Sequence, residues 1–224
     1  MDLVIFDLDG TLIDSKLDLA QAVNATRASL NLPSLENERV YSYVGSGAPV
    51  LIRKALGPDF RDEEVKRALE FFLAYYRDHM LDYTTLYPGG RECLDQLRGE
   101  GVLLAVLTNK PVRFSRAILE GLGVGQHFFR VYGGNSFEQK KPDPVGVETL
   151  LAESGVPREH ALMVGDSAVD VVTARNAGVR SCGVTYGFQP ETLAAEPPDI
   201  LVDRLEQVAE LVLAERSTKG GIRS

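Results

Sequence analysis

Short apolar runs alternate along this chain with longer stretches in which apolar residues recur at helical spacing. Six runs have the length and β-branched content of buried strands: LVIF (3–6), VLLAVL (102–107), FFRVY (128–132), ALMV (161–164), CGVT (182–185) and a weaker DILV (199–202). Their apolarity is continuous rather than alternating, which suits strands covered on both faces of a parallel sheet. Helical patterns separate most of them. RECLDQLRGE (91–100) leads into the second run, and VRFSRAILEGLG (112–123) follows it with Gly121 and Gly123 as stops. VGVETLLAESG (145–155) precedes ALMV, and AVDVVTARNAG (168–178) follows it. This βαβα rhythm predicts an α/β fold built on a doubly wound parallel sheet.

Residues 15–86 break the rhythm. DLAQAVNATRASLNL (18–32), APVLIRKALG (48–57) and DEEVKRALEFFLAYYRDHML (62–81) read as helices punctuated by Pro33 and Gly57-Pro58, with no convincing strand among them. Tyr87-Pro88-Gly89-Gly90 marks the return. The pattern predicts a discontinuous α/β core, residues 1–14 and 87–224, with a helical cap, residues 15–86, inserted after the first strand. The cap is expected to lie over the sheet edge as a lid, because long insertions in compact domains are usually functional. Residues 217–224 read as a frayed tail.

Composition narrows the partners. The 224 residues are 44% hydrophobic and 25% charged, with a formal net charge of −8. An acidic balance argues against nucleic acid and anionic membrane as partners. Cys93 and Cys182 are far apart and lack metal-ligand spacing, so neither a disulfide framework nor a zinc site is expected. No secretory signal or membrane-spanning run is visible, and the expected location is cytoplasmic.

The chemistry is suggested by where the apolar runs stop. VIF ends at Asp7, with Asp9 two residues on; LAVL ends at Thr108-Asn109-Lys110; LMVG ends at Asp166, with Asp170 a helical turn further. In an open parallel sheet the carboxyl ends of the strands share one edge, where ligands bind. Lys140-Lys141-Pro142-Asp143-Pro144, after the third run, reaches the same edge. Asp7, Asp9, Asp166 and Asp170 together in a crevice repel one another unless a hard divalent cation joins them, and magnesium suits carboxylates, water and phosphate oxygens. Thr108–Lys110 precedes a helix start at Pro111, a ready phosphate site. The set fits phosphoryl transfer, with Asp7 as a carboxylate nucleophile and Asp9 as general acid and base. The histidines, His79, His127 and His160, adjoin no motif.

These motifs resemble those of the haloacid dehalogenase-like phosphohydrolases. Asp7-Leu8-Asp9-Gly10-Thr11 resembles the first motif, Thr108-Asn109-Lys110 the second, Lys141-Pro142-Asp143-Pro144 the third and Gly165-Asp166-Ser167-Ala168-Val169-Asp170 the fourth, in family order across nearly the whole core. The resemblance implies a Rossmann-like core and a role for each residue. Asp7 would be nucleophile and magnesium ligand, and Asp9 acid/base and backbone ligand. Thr108 and the Asn109 amide would hold phosphoryl oxygens, and Lys141 would pair with Asp7 and the phosphoryl group. Asp166 would be a direct magnesium ligand, and Asp170 a further ligand or one acting behind it. Asp14 and Ser15 would be hinge or capping residues. Possession of Asp9 places the chain with the phosphate-ester branch rather than the dehalogenases.

The insertion is similar to the small helical cap of that family. Val44-Gly45-Ser46-Gly47-Ala48 resembles the VGxGA loop of its phosphoglycolate phosphatases, as do Tyr87-Pro88-Gly89 and Thr185-Tyr186-Gly187. The resemblance makes Gly10, Thr11, Asn109, Gly45, Ser46, Gly47 and Ala48 the expected substrate contacts. Arg53 and Lys54 follow the loop, each a candidate for a substrate carboxylate with a solvated helix face as the default. Phe71, Phe72, Tyr75 and Tyr76 are expected in the cap core. The implied activity is magnesium-dependent hydrolysis of a small phosphorylated metabolite, 2-phosphoglycolate above others, by a monomer or homodimer. Alternatives are a sugar-phosphate phosphomutase, a pyrophosphatase, a phosphonatase using Lys54 or Lys16, and a non-catalytic phospho-ligand-binding module.

Overall fold

The computed structural model describes residues 1–220. The elements in chain order are β1 (Leu3–Phe6), β2 (Ile13–Asp14), α1 (Lys16–Ser29), α2 (Asn37–Tyr41), α3 (Ala48–Leu56), α4 (Asp62–His79), β3 (Thr85–Leu86), α5 (Gly90–Gly99), β4 (Leu103–Leu107), α6 (Val112–Gly121), β5 (Arg130–Tyr132), α7 (Val145–Ser154), β6 (Ala161–Gly165), α8 (Ala168–Ala177), β7 (Arg180–Val184), β8 (Ile200–Val202) and α9 (Glu206–Gly220).

Six strands form one parallel sheet in the order β5-β4-β1-β6-β7-β8. The continuous apolar runs follow from helices on both faces. Along β1, Val4 and Phe6 join a core cluster with residues of α5 and α9, whereas Leu3 and Ile5 join a second with residues of α7 and α8. All four are fully buried, the period-2 alternation of a strand with two inner faces. After β1 the chain builds outward through β4 and β5, then crosses to β6 on the other side. That reversal opens a crevice at the carboxyl end of β1.

The insertion contains helices α1–α4. It leaves and re-enters through an antiparallel pair of two-residue strands, Ile13↔Leu86 and Asp14↔Thr85, a ladder too short to show as an apolar run. Buried Asp18 braces the return: its carboxylate accepts bonds from the Tyr83 and Thr84 amides and the Thr84 hydroxyl. In α4, Val65, Ala68, Phe72 and Tyr76 are buried along one stripe. Phe71, expected in the cap core, is instead 41% exposed, one position off that stripe.

Two helices stand outside the sequence expectation. The short α2 packs on α1 through buried Val40. The longer α9 packs on α5, burying Val208, Ala209 and Val212 together with Leu205 just before its first turn. It carries residues 217–220 of the expected tail in helix; 221–224 lie outside the described residues. Both cysteines are buried and free. Among the described residues, no helix is long and apolar enough to cross a membrane.

Candidate active site

Register brings the strand-end residues together. Phe6 pairs with Val106 of β4 and Val164 of β6, and the Asp7 amide donates to the Val164 carbonyl at 2.8 Å. Asp7, Thr108 and Asp166 therefore leave three adjacent strands at nearly one level. The cap closes above them, leaving a cavity of about 670 Å³ including its open mouth. Its floor includes Asp7, Asp9, Thr108, Asn109, Lys110 and Asp166; its cap wall includes Leu51, Phe72, Leu73 and Tyr76.

At one end of the floor, single carboxylate oxygens of Asp7, Asp166 and Asp170 lie within 4.8 Å of one another, and all three residues are buried. Lys141 is the ammonium among them, 2.9 Å from Asp7 Oδ1 and 2.6 Å from Asp170 Oδ1. Burial alone would discharge Lys141, yet the two carboxylates outweigh it and hold its pKa above the ordinary lysine value. One cation does not balance three acids. Burial, opposed by Lys141 and reinforced by Asp170, pushes Asp7 up to about 6. Burial and the charges of Asp170 and Asp7 push Asp166 up to about 8.

Such a cluster accommodates a hard cation. Asp7 Oδ1 is fully buried and accepts no well-aligned hydrogen bond, Lys141 meeting it only as an ion pair. Asp166 spends Oδ2 on the Phe188 and Gln189 amides, at 2.6 and 3.3 Å. Gly10 and Gly187 make room for it: a Cβ on either would lie 2.3 Å from Asp166 Oδ2 or 2.1 Å from its Cβ. Asp170 has both oxygens engaged, because it closes the capping box of α8. Its Oδ2 accepts from the Ser167 amide and hydroxyl while Oδ1 takes Lys141. All three acids could offer an oxygen to a cation, and both oxygens of Asp170 already have partners here, Ser167 and Lys141.

Asp9 stands apart from this cluster. Its carboxylate accepts from Lys110 Nζ at 2.8 and 3.1 Å and from the Ser15 hydroxyl at 2.5 Å. Lys110 also donates to the Tyr76 hydroxyl at 2.7 Å and sits 4.6 Å from that ring. Burial opposes the Lys110 charge, but Asp9 and Tyr76 together keep its pKa above normal. Burial pushes Tyr76 up to about 12, with Lys110 countering.

The cap loop is held by the core. Gln189 Nε2 donates to the Ser42 and Val44 carbonyls, Asn109 Nδ2 to that of Gly45, and Lys140 Nζ to that of Ser46. Gly45, Gly47 and Ala48 line the cavity, but Ser46 does not. Thr11, an expected contact, is buried outside the cavity lining, its carbonyl taken by the Tyr186 hydroxyl at 2.9 Å. Gly10 lies behind Asp166.

Other candidates face elsewhere. Arg53 bonds the Phe60 carbonyl and Asp62, and Lys54 lies over the Tyr43 ring, both along a separate shallow cleft. Lys16 sits over the Tyr41 and Phe188 rings. Neither Lys54 nor Lys16, the two candidates for the imine chemistry of a phosphonatase, is among the described residues that line the cavity. His79 pairs with Asp82, His127 with Asp95 and His160 with Asp2, all away from the floor. Tyr76, Ser15 and Gln189 have no role in the site as read from sequence, and Lys110 enters it there only as part of the Thr108–Lys110 loop. The one available signal was Lys110 beside Asn109 at a strand end.

Comparison with known proteins agrees with this geometry. The family model of haloacid dehalogenase-like hydrolases matches residues 4–184. A phosphoglycolate phosphatase of Pseudomonas fluorescens is 43% identical over 213 residues, covering 92% of this chain and 78% of that protein. One of Vibrio vulnificus is 39% identical, covering 94% and 96%. The crystal structure of a predicted phosphoglycolate phosphatase from Haemophilus somnus superposes with a TM-score of 0.90 at 32% identity, covering 94% of this chain and 97% of that one.

Proposed function

The chain belongs to the haloacid dehalogenase-like hydrolases, and from that premise we infer that it is a magnesium-dependent phosphatase of small phosphate monoesters, with 2-phosphoglycolate as substrate. The observation that carries this reading is the division of the cavity floor into two differently paired acids. Asp7 lies with Lys141 and the carboxylate cluster, and Asp9 with Lys110 and Ser15. Two carboxylates held apart by separate cations suit two separate tasks.

Asp7 attacks phosphorus and forms an acyl-phosphate as the ester oxygen departs, and Asp9 gives that oxygen its proton. Asp9 then takes a proton from the water that hydrolyses the acyl-phosphate, which releases phosphate and restores both acids. Lys141, the Thr108 hydroxyl and the Asn109 amide bind the phosphoryl oxygens. Magnesium, held by Asp7 and Asp166 with the Asp9 backbone oxygen, would supply charge neutralisation at the phosphoryl group. The apolar cap wall keeps bulk water from Asp7 while the ester is cleaved. The relatives named above support phosphoglycolate as the ester.

A phosphate-release screen of 2-phosphoglycolate, hexose phosphates, pyrophosphate and a phosphonate tests the reading. The expected result is the highest kcat/KM on 2-phosphoglycolate with magnesium. Preference for pyrophosphate or the phosphonate would reject it, as would conversion of a hexose 1-phosphate to the 6-phosphate without phosphate release.

A further inference from the structure

The cavity has one buried cation to which the reaction above gives no part. Among the described residues that line the cavity, Lys110 is the only cation. Leu19, Leu51, Phe72, Leu73 and Phe114 add apolar lining. The Lys110 side chain is 5% exposed and reaches the cavity between Asp9 and Tyr76. An anionic group entering an apolar pocket needs a counter-charge at hydrogen-bond range. Arg53, Lys54 and Lys16 are turned to other partners. An ammonium has three N–H donors. Tyr76 takes one at 2.7 Å and Asp9 Oδ1 another at 2.8 Å; the 3.1 Å contact to Asp9 Oδ2 is the longest and the one an incoming acceptor displaces.

We propose that Lys110 is a specificity-determining residue that binds a carboxylate on the substrate's leaving group, with Tyr76 of the cap holding its ammonium in position. The proposal rests on the phosphatase reading above and deepens it: the substrate class becomes small phosphate esters with a carboxylate beside the ester oxygen. Binding that carboxylate also draws Lys110 off one oxygen of Asp9, beside the ester oxygen that Asp9 must protonate. An ester without the carboxylate leaves Asp9 gripped through both oxygens. Discrimination therefore appears in kcat/KM and not in phosphate binding alone.

The test compares 2-phosphoglycolate with 2-hydroxyethyl phosphate, an ester of nearly the same size that lacks the charge. In the wild-type protein kcat/KM favours 2-phosphoglycolate. In Lys110→Met and Lys110→Gln that preference falls by about 30-fold or more, the order seen when one partner of a buried charge pair is removed. In Lys110→Arg, which keeps the charge, much of it returns. The ratio cancels any common loss from a loosened Asp9, and the Gln variant can still hydrogen-bond Asp9 and Tyr76 should Met fail to fold. A wild-type protein without preference for the carboxylated ester overturns the proposed substrate. A preference that survives in the Gln variant overturns the role of Lys110 alone. Equal losses on both esters reduce Lys110 to a support for Asp9 and overturn it too.

Discussion

Two buried lysines each hold an acid of the cavity floor, and their surroundings differ in origin. Lys141 sits between Asp7 and Asp170, at the ends of strands and on a capped helix of the α/β core. Lys110 sits between Asp9 of the core and Tyr76 of the cap. The first environment is complete within the sheet edge. The second exists only while α4 is docked, because a hydroxyl from the insertion completes it. One end of the cavity floor is thus held entirely by the core and is fixed, and the other is assembled from core and cap together. A fixed site suits the chemistry common to every phosphate ester; an assembled one suits selection of the group that leaves.

Substitutions at the fixed end carry the largest expected effects. Asp7→Asn removes the proposed nucleophile and is expected to lower kcat on the order of 10^4-fold or more. It also removes one charge from a repulsive cluster, so the melting temperature is unchanged or raised. Phosphate release and a thermal melt check both; substantial turnover would end the assignment of Asp7. Chelation of divalent cations lowers turnover on the order of 10^3-fold, with magnesium restoring it, because charge neutralisation at a transferring phosphoryl group is worth several kcal/mol. Lys141→Met strands two buried carboxylates and costs about 3–5 kcal/mol of stability by denaturant titration.

A pH experiment isolates the fixed end. Folding favours the neutral forms of Asp7, pushed up to about 6, and Asp166, pushed up to about 8. In the metal-free protein their contribution to stability is therefore complete below pH 3.8 and is lost as pH rises through about 6 and then about 8. Magnesium binds the ionised forms, so its stabilisation grows across the same window. Thermal melts at several pH values, with and without magnesium, should diverge toward high pH. The divergence should shrink in Asp166→Asn; equal divergence there would show that other groups produce it.

The assembled end predicts the smallest effect. Tyr76→Phe removes one hydrogen bond to a charged group and should lower kcat/KM on the proposed substrate by about 10-fold, within the range of such bonds. The core stays intact, and phosphate inhibition is unchanged. A loss of activity as large as that of Asp7→Asn would erase the distinction between the two ends.

Much of the fixed end was legible before any coordinates. Apolar runs that stop at Asp7, Thr108 and Asp166 place those residues at one sheet edge once the strands are parallel and in register. The state of Asp170 was not legible, because one carboxylate at that position serves equally as ligand or helix cap. Here it caps α8 and holds Lys141. Tyr76 lies on a stripe of apolar residues in α4 and carried no sign that its hydroxyl would meet Lys110, 34 residues on. Ser15 reads as a hinge or capping residue; it stands at the N-cap of α1, but its hydroxyl reaches Asp9 instead of the helix backbone. The two-residue ladder of β2 and β3 left no hydrophobic pattern, since its pairing comes from the chain leaving and returning at one place.

The sequence by itself determined the parallel sheet, the helical insertion and the acids at the strand ends. Those follow from local apolar periodicity and from a topology rule that sends every strand's carboxyl end to one edge. The pairing of Lys141 with Asp7 was implied by the motifs; only the tertiary structure decided that Lys141 also holds Asp170, that Lys110 holds Asp9 and that Tyr76 of the cap meets Lys110. The Tyr76 contact depends on the position of the cap over the core, and the lysine–aspartate pairs on loops of the core meeting at one edge; both are set by packing between residues far apart in the chain. A displacement of a few ångströms there, invisible to any local pattern, exchanges one partner for another.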